Sequence, residues 1–365
     1  MNLKFLVVGS GLYGSVLANE LAKKGYFVDV IDKRNHIGGN CYTETKNNIP
    51  VHKYGPHIFH TNDNKIWAYM KNLAKFNHKK QHTKAIYKNK LYSFPINLFT
   101  LNQVYGCLTP EEAKVILENK KINISDPKNL EEFCLANIGR ELYEIFIKGY
   151  TKKQWNKDPV ELPISIIKRI PIRLNYNDRY FNDKYEGIPQ NGYTEIFEKL
   201  LDHPKIKLFL NTDFFSNKEF FIRNYKKIIY SGKVDQFFNY AYGMLEYRSL
   251  KFEEEYFKHD YQGNSIINYT DENVPYTRIF ESKYFHDENV EGSWITKEYP
   301  QDYDVQEGNE PYYPVPTKAN KEIYEKYTKI MKDDKFIFGG RLGKYQYYNM
   351  DQVVASALAQ SESFW

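Results

Sequence analysis

At 365 residues the chain is long for one domain, and two or three lobes are expected. Its 51 Lys and Arg against 46 Asp and Glu leave +5, too small and too dispersed an excess to argue for nucleic acid, yet compatible with an anionic small molecule. Three scattered cysteines (Cys41, Cys107, Cys134) exclude a disulfide framework, and no apolar run nears the roughly 18 residues of a membrane span, so a soluble cytoplasmic protein is expected.

The first 40 residues carry the strongest local signal. Lys4 to Val8 is a short apolar run fit for a buried strand, and Gly9, Gly11 and Gly14 follow as G-x-G-x-x-G. Ser15 to Lys24 places Val16, Leu17 and Leu21 at helical spacing, Gly25 closes the helix, and Phe27 to Ile31 reads as a second strand ending on Asp32. Glycines let the backbone approach a pyrophosphate, the helix N-terminus offers free N–H groups, and the acid accepts from a ribose. A lone glycine motif marks little more than a tight turn. Strand, glycines, helix, strand and acid in this order predict a dinucleotide site.

His52, His57 and His60 surround a Gly-Pro turn, readable as a metal site, a loop beside the cofactor or structural histidines. With no carboxylate among them, no metal is expected. Asp63 to Asn72 is helical, and residues 77–92 are basic and strand-prone. Thr109-Pro110-Glu111-Glu112 is a capping box with Pro at the first helical position, and Asn129 starts a further helix, so a helical lobe spans about 100–155. Tyr150-Thr151-Lys152-Lys153-Gln154-Trp155 suits a surface that stacks a base. Arg169 and Arg173 flank a proline, and an Arg fork suits a diphosphate, although from the residues alone either segment reads more readily as solvated charge than as a ligand contact. Gly192 to Leu201 is an amphipathic helix, Ile206 to Phe215 strand and turn, and Lys227 to Tyr230 a buried strand. Alternating runs over 245–315 predict an antiparallel sheet. Helix 322–332, strand 335–338, a Gly339-Gly340-Arg341 turn and a helix capped by Asn349 form a second anion-friendly unit.

Longer runs carry a resemblance. They include Lys33-Arg34-Asn35-His36-Ile37-Gly38-Gly39-Asn40, His52-Lys53-Tyr54-Gly55, Ile147-Lys148-Gly149-Tyr150-Thr151, Ile166-Ile167-Lys168-Arg169-Ile170-Pro171, Leu245-Glu246-Tyr247-Arg248-Ser249-Leu250, Val274-Pro275-Tyr276-Thr277-Arg278 and Gly339-Gly340-Arg341-Leu342. With these the chain resembles the prokaryotic UDP-galactopyranose mutases over nearly its whole length. The resemblance implies an α/β fold: a discontinuous Rossmann-like FAD-binding domain (1–76, 190–240 and 330–365), an inserted helical lobe (100–155) and an antiparallel β-sheet domain (77–99, 156–189 and 241–329) with a mobile loop near 165–176. It also implies a cytoplasmic homodimer, without nucleic-acid or membrane partners, that makes furanose for cell-surface polysaccharide. The expected reaction interconverts the pyranose and furanose forms of a nucleotide sugar, the N5 of reduced FAD bonding transiently to the sugar C1.

By matching motif, FAD is expected on Gly9, Gly11, Leu12, Gly14, Asp32, Lys33, Asn40, His57, Ile58, Asp213, Phe214 and Arg341, and on the segment Tyr348, Asn349, Met350, Asp351, Gln352 and Val353. Substrate positions are Gln81, Tyr150, Thr151, Trp155, Tyr180 and Asn268. Arg169, Arg278, Tyr313 and Tyr347 are expected around the diphosphate, as the catalytic set. Two departures stand out: Asn349 where the family has Asp, and Gln81 where it has Asn. The second leaves a 6-deoxy sugar, a pentose or an N-acetylated sugar open beside galactose. Competing readings are an FAD oxidoreductase of the amine-oxidase type and a non-enzymatic nucleotide-sugar binder.

Overall fold

The computed structural model describes residues 4–168, 171–286 and 289–364. The chain divides into two compact units, 1–79 with 183–246 and 318–365, and 80–182 with 247–317.

The first unit is built on a five-stranded parallel sheet. Its order is Phe336–Phe338, Lys227–Tyr230, Lys4–Val8, Phe27–Ile31, Ile206–Phe209. Phe5, Leu6 and Val7 are wholly buried, as suits a central strand covered on both faces. Helix Leu12–Lys23 packs against helix Met350–Glu362, and helix Thr194–Leu201 buries Ile196, Phe197, Leu200 and Leu201. The strand order turns to opposite sides at Lys4–Val8. A crevice outside the carboxyl end of such a strand is where open α/β sheets bind ligands, and here that end runs into Gly9.

The second unit holds a seven-stranded sheet in the order Tyr313–Pro314, Tyr247–Phe257, Ser293–Asp302, Arg278–Glu281, Ile266–Tyr269, Lys84–Tyr87, Lys90–Ser93. Its pairs are antiparallel with one exception: Ile266–Tyr269 runs parallel to Lys84–Tyr87. A parallel pair needs a long crossover, and the helices between these strands in sequence supply one. Within the second unit they include Leu98–Tyr105, Pro110–Lys120, Leu130–Tyr143 and Gly149–Trp155. The box at Thr109 forms as the sequence predicts: its hydroxyl accepts from Glu112 N (3.2 Å) and its own N–H reaches the Glu112 carboxylate (3.3 Å). A π-helical turn at Glu144–Lys148 joins the last two helices and rotates the second about the common axis.

Helical lobe and sheet, expected as separate parts, share one core. Phe146 meets Tyr92 edge-on at 5.4 Å and stacks on Phe94 at 5.9 Å, and Trp155 and Val315 belong to the same cluster. Helix Lys318–Ile330, expected to straddle a boundary, lies in the first unit: Tyr327 donates to Gly243 O (2.7 Å) and Asn320 to the Glu246 carboxylate (3.2 Å). No helix of the described residues is long and apolar enough to cross a membrane.

Candidate active site

In the first unit the glycine loop is a backbone cradle. Gly9 has φ +103°, and a Cβ on Gly14 would lie 2.0 Å from the Gly9 carbonyl oxygen, so the helix starts directly against the strand end. Gly11 is the N-cap of Leu12–Lys23. Asp32, buried at the end of the second strand, fixes the loop: its Oδ2 accepts from both Ser10 N and Ser10 Oγ at 2.7 Å, and its Oδ1 from Arg34 N at 3.0 Å. The acid expected to meet a ribose therefore also shapes the pyrophosphate turn. With Oδ2 accepting two bonds and Oδ1 one, Oδ1 retains acceptor capacity for a ribose hydroxyl.

Other expected cofactor residues gather on the same end. Gly38 N donates to Ser10 O (3.0 Å), and a Cβ on Gly39 would lie 3.0 Å from Gly11 Cα, so the two glycine turns touch through their backbones. Asn40 Oδ1 accepts from Arg34 at 2.9 Å, and Cys41 Sγ lies 3.8 Å from Met350 Sδ, placing the Gly39–Cys41 turn beside the start of the last helix. That helix begins at Asn349, whose N–H is taken by Gln352 Oε1 at 2.9 Å. Arg341 donates to Tyr348 O (2.7 Å) and lies 5.2 Å from the Tyr347 ring centroid. Two helix N-termini and two glycine turns joined through their backbones suit an FAD pyrophosphate.

The remaining first-unit positions are engaged by the fold. His57 N donates to His52 Nδ1 (3.1 Å) and its ring nitrogen pairs with Gly55 O (2.8 Å), which holds the loop that leads through Ile58. His60 Nδ1 sits 2.7 Å from Asp183 Oδ2. Among the described residues no group of three or more His, Cys, Asp or Glu is arranged to hold a metal ion. Residues Asn211 and Thr212 bond Arg34 O and Asp32 O, so the turn leading to Asp213 does lie by the second strand. Phe214, however, is buried between Phe221 and Phe237, stacked on both at 5.7 and 5.9 Å. Any cofactor contact at Phe214 falls to its backbone. Lys33 is half of an exposed turn beside Asp32.

In the second unit an arginine is prepared for an anion. Arg278 donates from Nε and NH2 to the two oxygens of Glu298 at 2.8 and 2.9 Å, and Thr277 Oγ1 donates to Glu298 Oε1 at 2.9 Å. Glu298 is fully buried while the Arg278 side chain keeps 23% exposure, which leaves the opposite guanidinium edge for a ligand. Burial works against the charge of Arg278, but Glu298, with the Tyr150 and Tyr313 phenols, outweighs it and holds the pKa above the ordinary arginine value. Burial likewise pushes the Tyr150 phenol up, with Arg278 pulling the other way, so Tyr150 is a neutral donor at physiological pH. Tyr180 and Tyr313 add to the upward push on Tyr150. Asn268 pairs with Arg278 across neighbouring strands, and Tyr313 lies on the edge strand opposite Arg248.

Thr151 and Trp155 are buried, Trp155 within the helical core with Tyr180 packed against that cluster. Gln81 is tied down: Nε2 donates to Thr83 Oγ1 (3.2 Å), Oε1 accepts from Ser265 (3.1 Å), and its carbonyl takes Tyr180 N (2.7 Å). Its backbone carbonyl thus holds the stretch carrying Tyr180, while its side-chain amide is engaged by Thr83 and Ser265. Arg169 lies outside the described residues, and Tyr347 belongs to the first unit. Arg173 is structural: its buried guanidinium donates to Asn177 O (3.0 Å), Arg179 O (2.6 Å) and Asn182 Oδ1 (2.5 Å). Glu298 went unnoticed in the sequence, because its partner is set by strand register and not by a local motif.

Comparison with known proteins agrees with both halves. The NAD(P)-binding Rossmann-like domain matches residues 7–73, and the UDP-galactopyranose mutase family matches residues 145–347. A probable UDP-galactopyranose mutase of Klebsiella pneumoniae is 42% identical, over 100% of this chain and 95% of that protein. A dTDP-fucopyranose mutase of Escherichia coli is also 42% identical, over 97% of this chain and 96% of its own length. A crystal structure of reduced UDP-galactopyranose mutase shares the fold at TM-score 0.78 and 14% identity, covering 99% of this chain and 93% of that one. By family match and by full-length identity, the chain belongs to the UDP-galactopyranose mutase family.

Proposed function

We propose that the first unit holds FAD on the two glycine turns and the Asn349 helix, and that the second unit holds the nucleotide diphosphate on Arg278 and its phenols. The chain is an isomerase of the family, a mutase that interconverts pyranose and furanose forms of a nucleotide sugar. The observation that carries the residue assignment is the Arg278–Glu298 pair. A bidentate buried carboxylate presents a charged fork in one orientation, and the Tyr150 phenol adds a neutral donor beside it.

FAD, when bound in its reduced form, supplies the nucleophile for the anomeric carbon. The protein's part is to bind and release the nucleoside diphosphate. A dianionic leaving group gains charge as the C1–O bond breaks, and Arg278 and the phenols are placed to offset that gain. Arg169 and Tyr347 complete the proposed diphosphate set, and Thr151, Trp155, Tyr180 and Asn268 the nucleoside contacts. Because relatives acting on UDP-galactopyranose and on dTDP-fucopyranose are equally identical to this chain, we take UDP-galactopyranose or a 6-deoxy analogue as substrate. Family membership supports the further reading of a cytoplasmic homodimer serving cell-surface polysaccharide synthesis, which sedimentation of the purified protein tests in part.

The assignment is tested by Arg278→Ala. Turnover of the reduced enzyme is expected to fall by about 100-fold or more with FAD still bound. Loss of FAD instead would show that Arg278 does not belong to the nucleotide half.

A further inference from the structure

Lys153 lies on the helix Gly149–Trp155, between Thr151 and Trp155, and its ammonium group is withdrawn from water. Nζ donates to Tyr269 O and Asp271 O at 2.8 Å and to Val274 O and Tyr276 O at 2.9 Å. These four carbonyls belong to one turn, the connection between the antiparallel strands Ile266–Tyr269 and Arg278–Glu281. An ammonium has three protons, so four converging oxygens share them and the rest of the attraction is between charge and dipoles. The turn is folded around a cation, as carbonyl rings in ion sites are.

A second contact joins the same two elements. A Cβ on Gly149 would lie 2.4 Å from Thr270 O and 2.9 Å from Glu272 N, so the helix start meets the turn backbone to backbone. From the sheet side, Arg248 donates to Gln154 O (2.9 Å) and Lys153 O (3.3 Å) while paired with Asp302. The helix carries Tyr150, Thr151 and Trp155. The turn is preceded by Asn268 and followed by Arg278. The electrostatic coupling of Tyr150 to Arg278 therefore crosses the junction that Lys153 closes.

We propose that Lys153 is a positioning residue for nucleotide recognition, an internal cation that locks the 269–276 turn to the Gly149–Trp155 helix and so sets Asn268 and Arg278 against Tyr150, Thr151 and Trp155. The proposal rests on the reading that these residues hold the nucleotide. Without the ammonium, Asp271 O would keep the Val274 N–H (3.3 Å), but all four carbonyls would lose the donor they converge on, and the turn would open to hydrate them.

The charged groups facing Lys153 are Asp271 and Glu272 on the turn, the latter 3.7 Å from Lys152, and Arg248 with Asp302 on the strands. Burial pushes the pKa of Lys153 down to about 8, with Asp271 pulling it up, whereas the phenols of Tyr269 and Tyr276 are pushed up and stay neutral. The lock is charged at neutral pH and weakens above about pH 8. Overall stability moves the other way. A folded pKa below the unfolded 10.5 means that raising pH from about 8 to 10.5 favours the folded chain.

The test uses the full-length FAD-loaded protein, with UDP affinity measured by calorimetry for the natural chain, K153M, K153A and R278A. K153M and K153A are expected to bind UDP about tenfold more weakly with unchanged flavin content. Ammonium or propylammonium chloride is expected to restore K153A, while the same concentration of tetramethylammonium does not. In the natural chain UDP affinity declines through about pH 8 and in K153M that decline is absent. If R278A loses UDP while both Lys153 variants bind as the natural chain does, the lock is wrong and the nucleotide half-site stands. If none of the three loses affinity, both fall. Should both variants fail to fold, K153Q is measured in their place, and UDP affinity equal to that of the natural chain overturns the proposal.

Discussion

At the scale of single residues, Glu298 explains how Arg278, the arginine proposed for the diphosphate, is held in one orientation. An unpaired guanidinium on a flexible stem loses rotamer freedom on binding. Arg278 is already oriented by two hydrogen bonds to a buried carboxylate that Thr277 also holds. Removing that carboxylate strands a partly buried charge. Glu298→Ala is expected to lower stability on the order of 3 kcal/mol, toward the low end for a buried pair because Arg278 keeps contact with solvent. Urea unfolding measures this, and a change within a few tenths of a kcal/mol would mean that the pair is structurally idle. Asn349 is the complementary case. It starts the last helix without adding charge, and Asn349→Asp is expected to stabilise that helix slightly and to lower the flavin reduction potential, since the reduced cofactor gains electron density beside a new anion. An unchanged potentiometric titration would place Asn349 away from the flavin.

Among elements, the glycine loop and the caps were legible because their physics is local. Gly9, Gly11 and Gly14 announce a backbone approach, Thr109 and Glu112 a helix start, and the apolar run Lys4–Val8 a buried strand, each within a few residues. Gly14→Ala tests the first of these. With its Cβ 2.0 Å from the Gly9 carbonyl, the variant is expected to purify without bound FAD, read from the 450 nm region of its absorption spectrum, and a fully yellow variant would refute the cradle. What the residues did not disclose depends on register. The Arg278–Glu298 pair, the four carbonyls around Lys153 and the Asp32–Ser10 bonds exist because strands align as they do, and neither partner carries a sign of the other. Phe214 shows a different limit: its ring serves the core, so any cofactor contact there falls to its backbone.

For the whole molecule, long-range packing decides what periodicity left open. Helices and sheet that read as separate stretches form one unit because Tyr92, Phe94 and Phe146 interleave, and helix Lys318–Ile330 joins the first unit through Tyr327 and Asn320. The proposed division of labour follows the units: a dinucleotide cradle in one, a charged and phenolic array in the other. The family identity fixes the reaction type, whereas equal likeness to galactose- and fucose-handling relatives leaves the sugar to experiment. The decisive measurement incubates dithionite-reduced, FAD-loaded enzyme with UDP-galactopyranose and, separately, dTDP-fucopyranose, and follows the anomeric protons by NMR. Furanose is expected to appear from at least one of them to a fixed equilibrium ratio, with no net consumption of reductant. Absence of furanose from both, or stoichiometric oxidation of the cofactor with each turnover, would contradict the account.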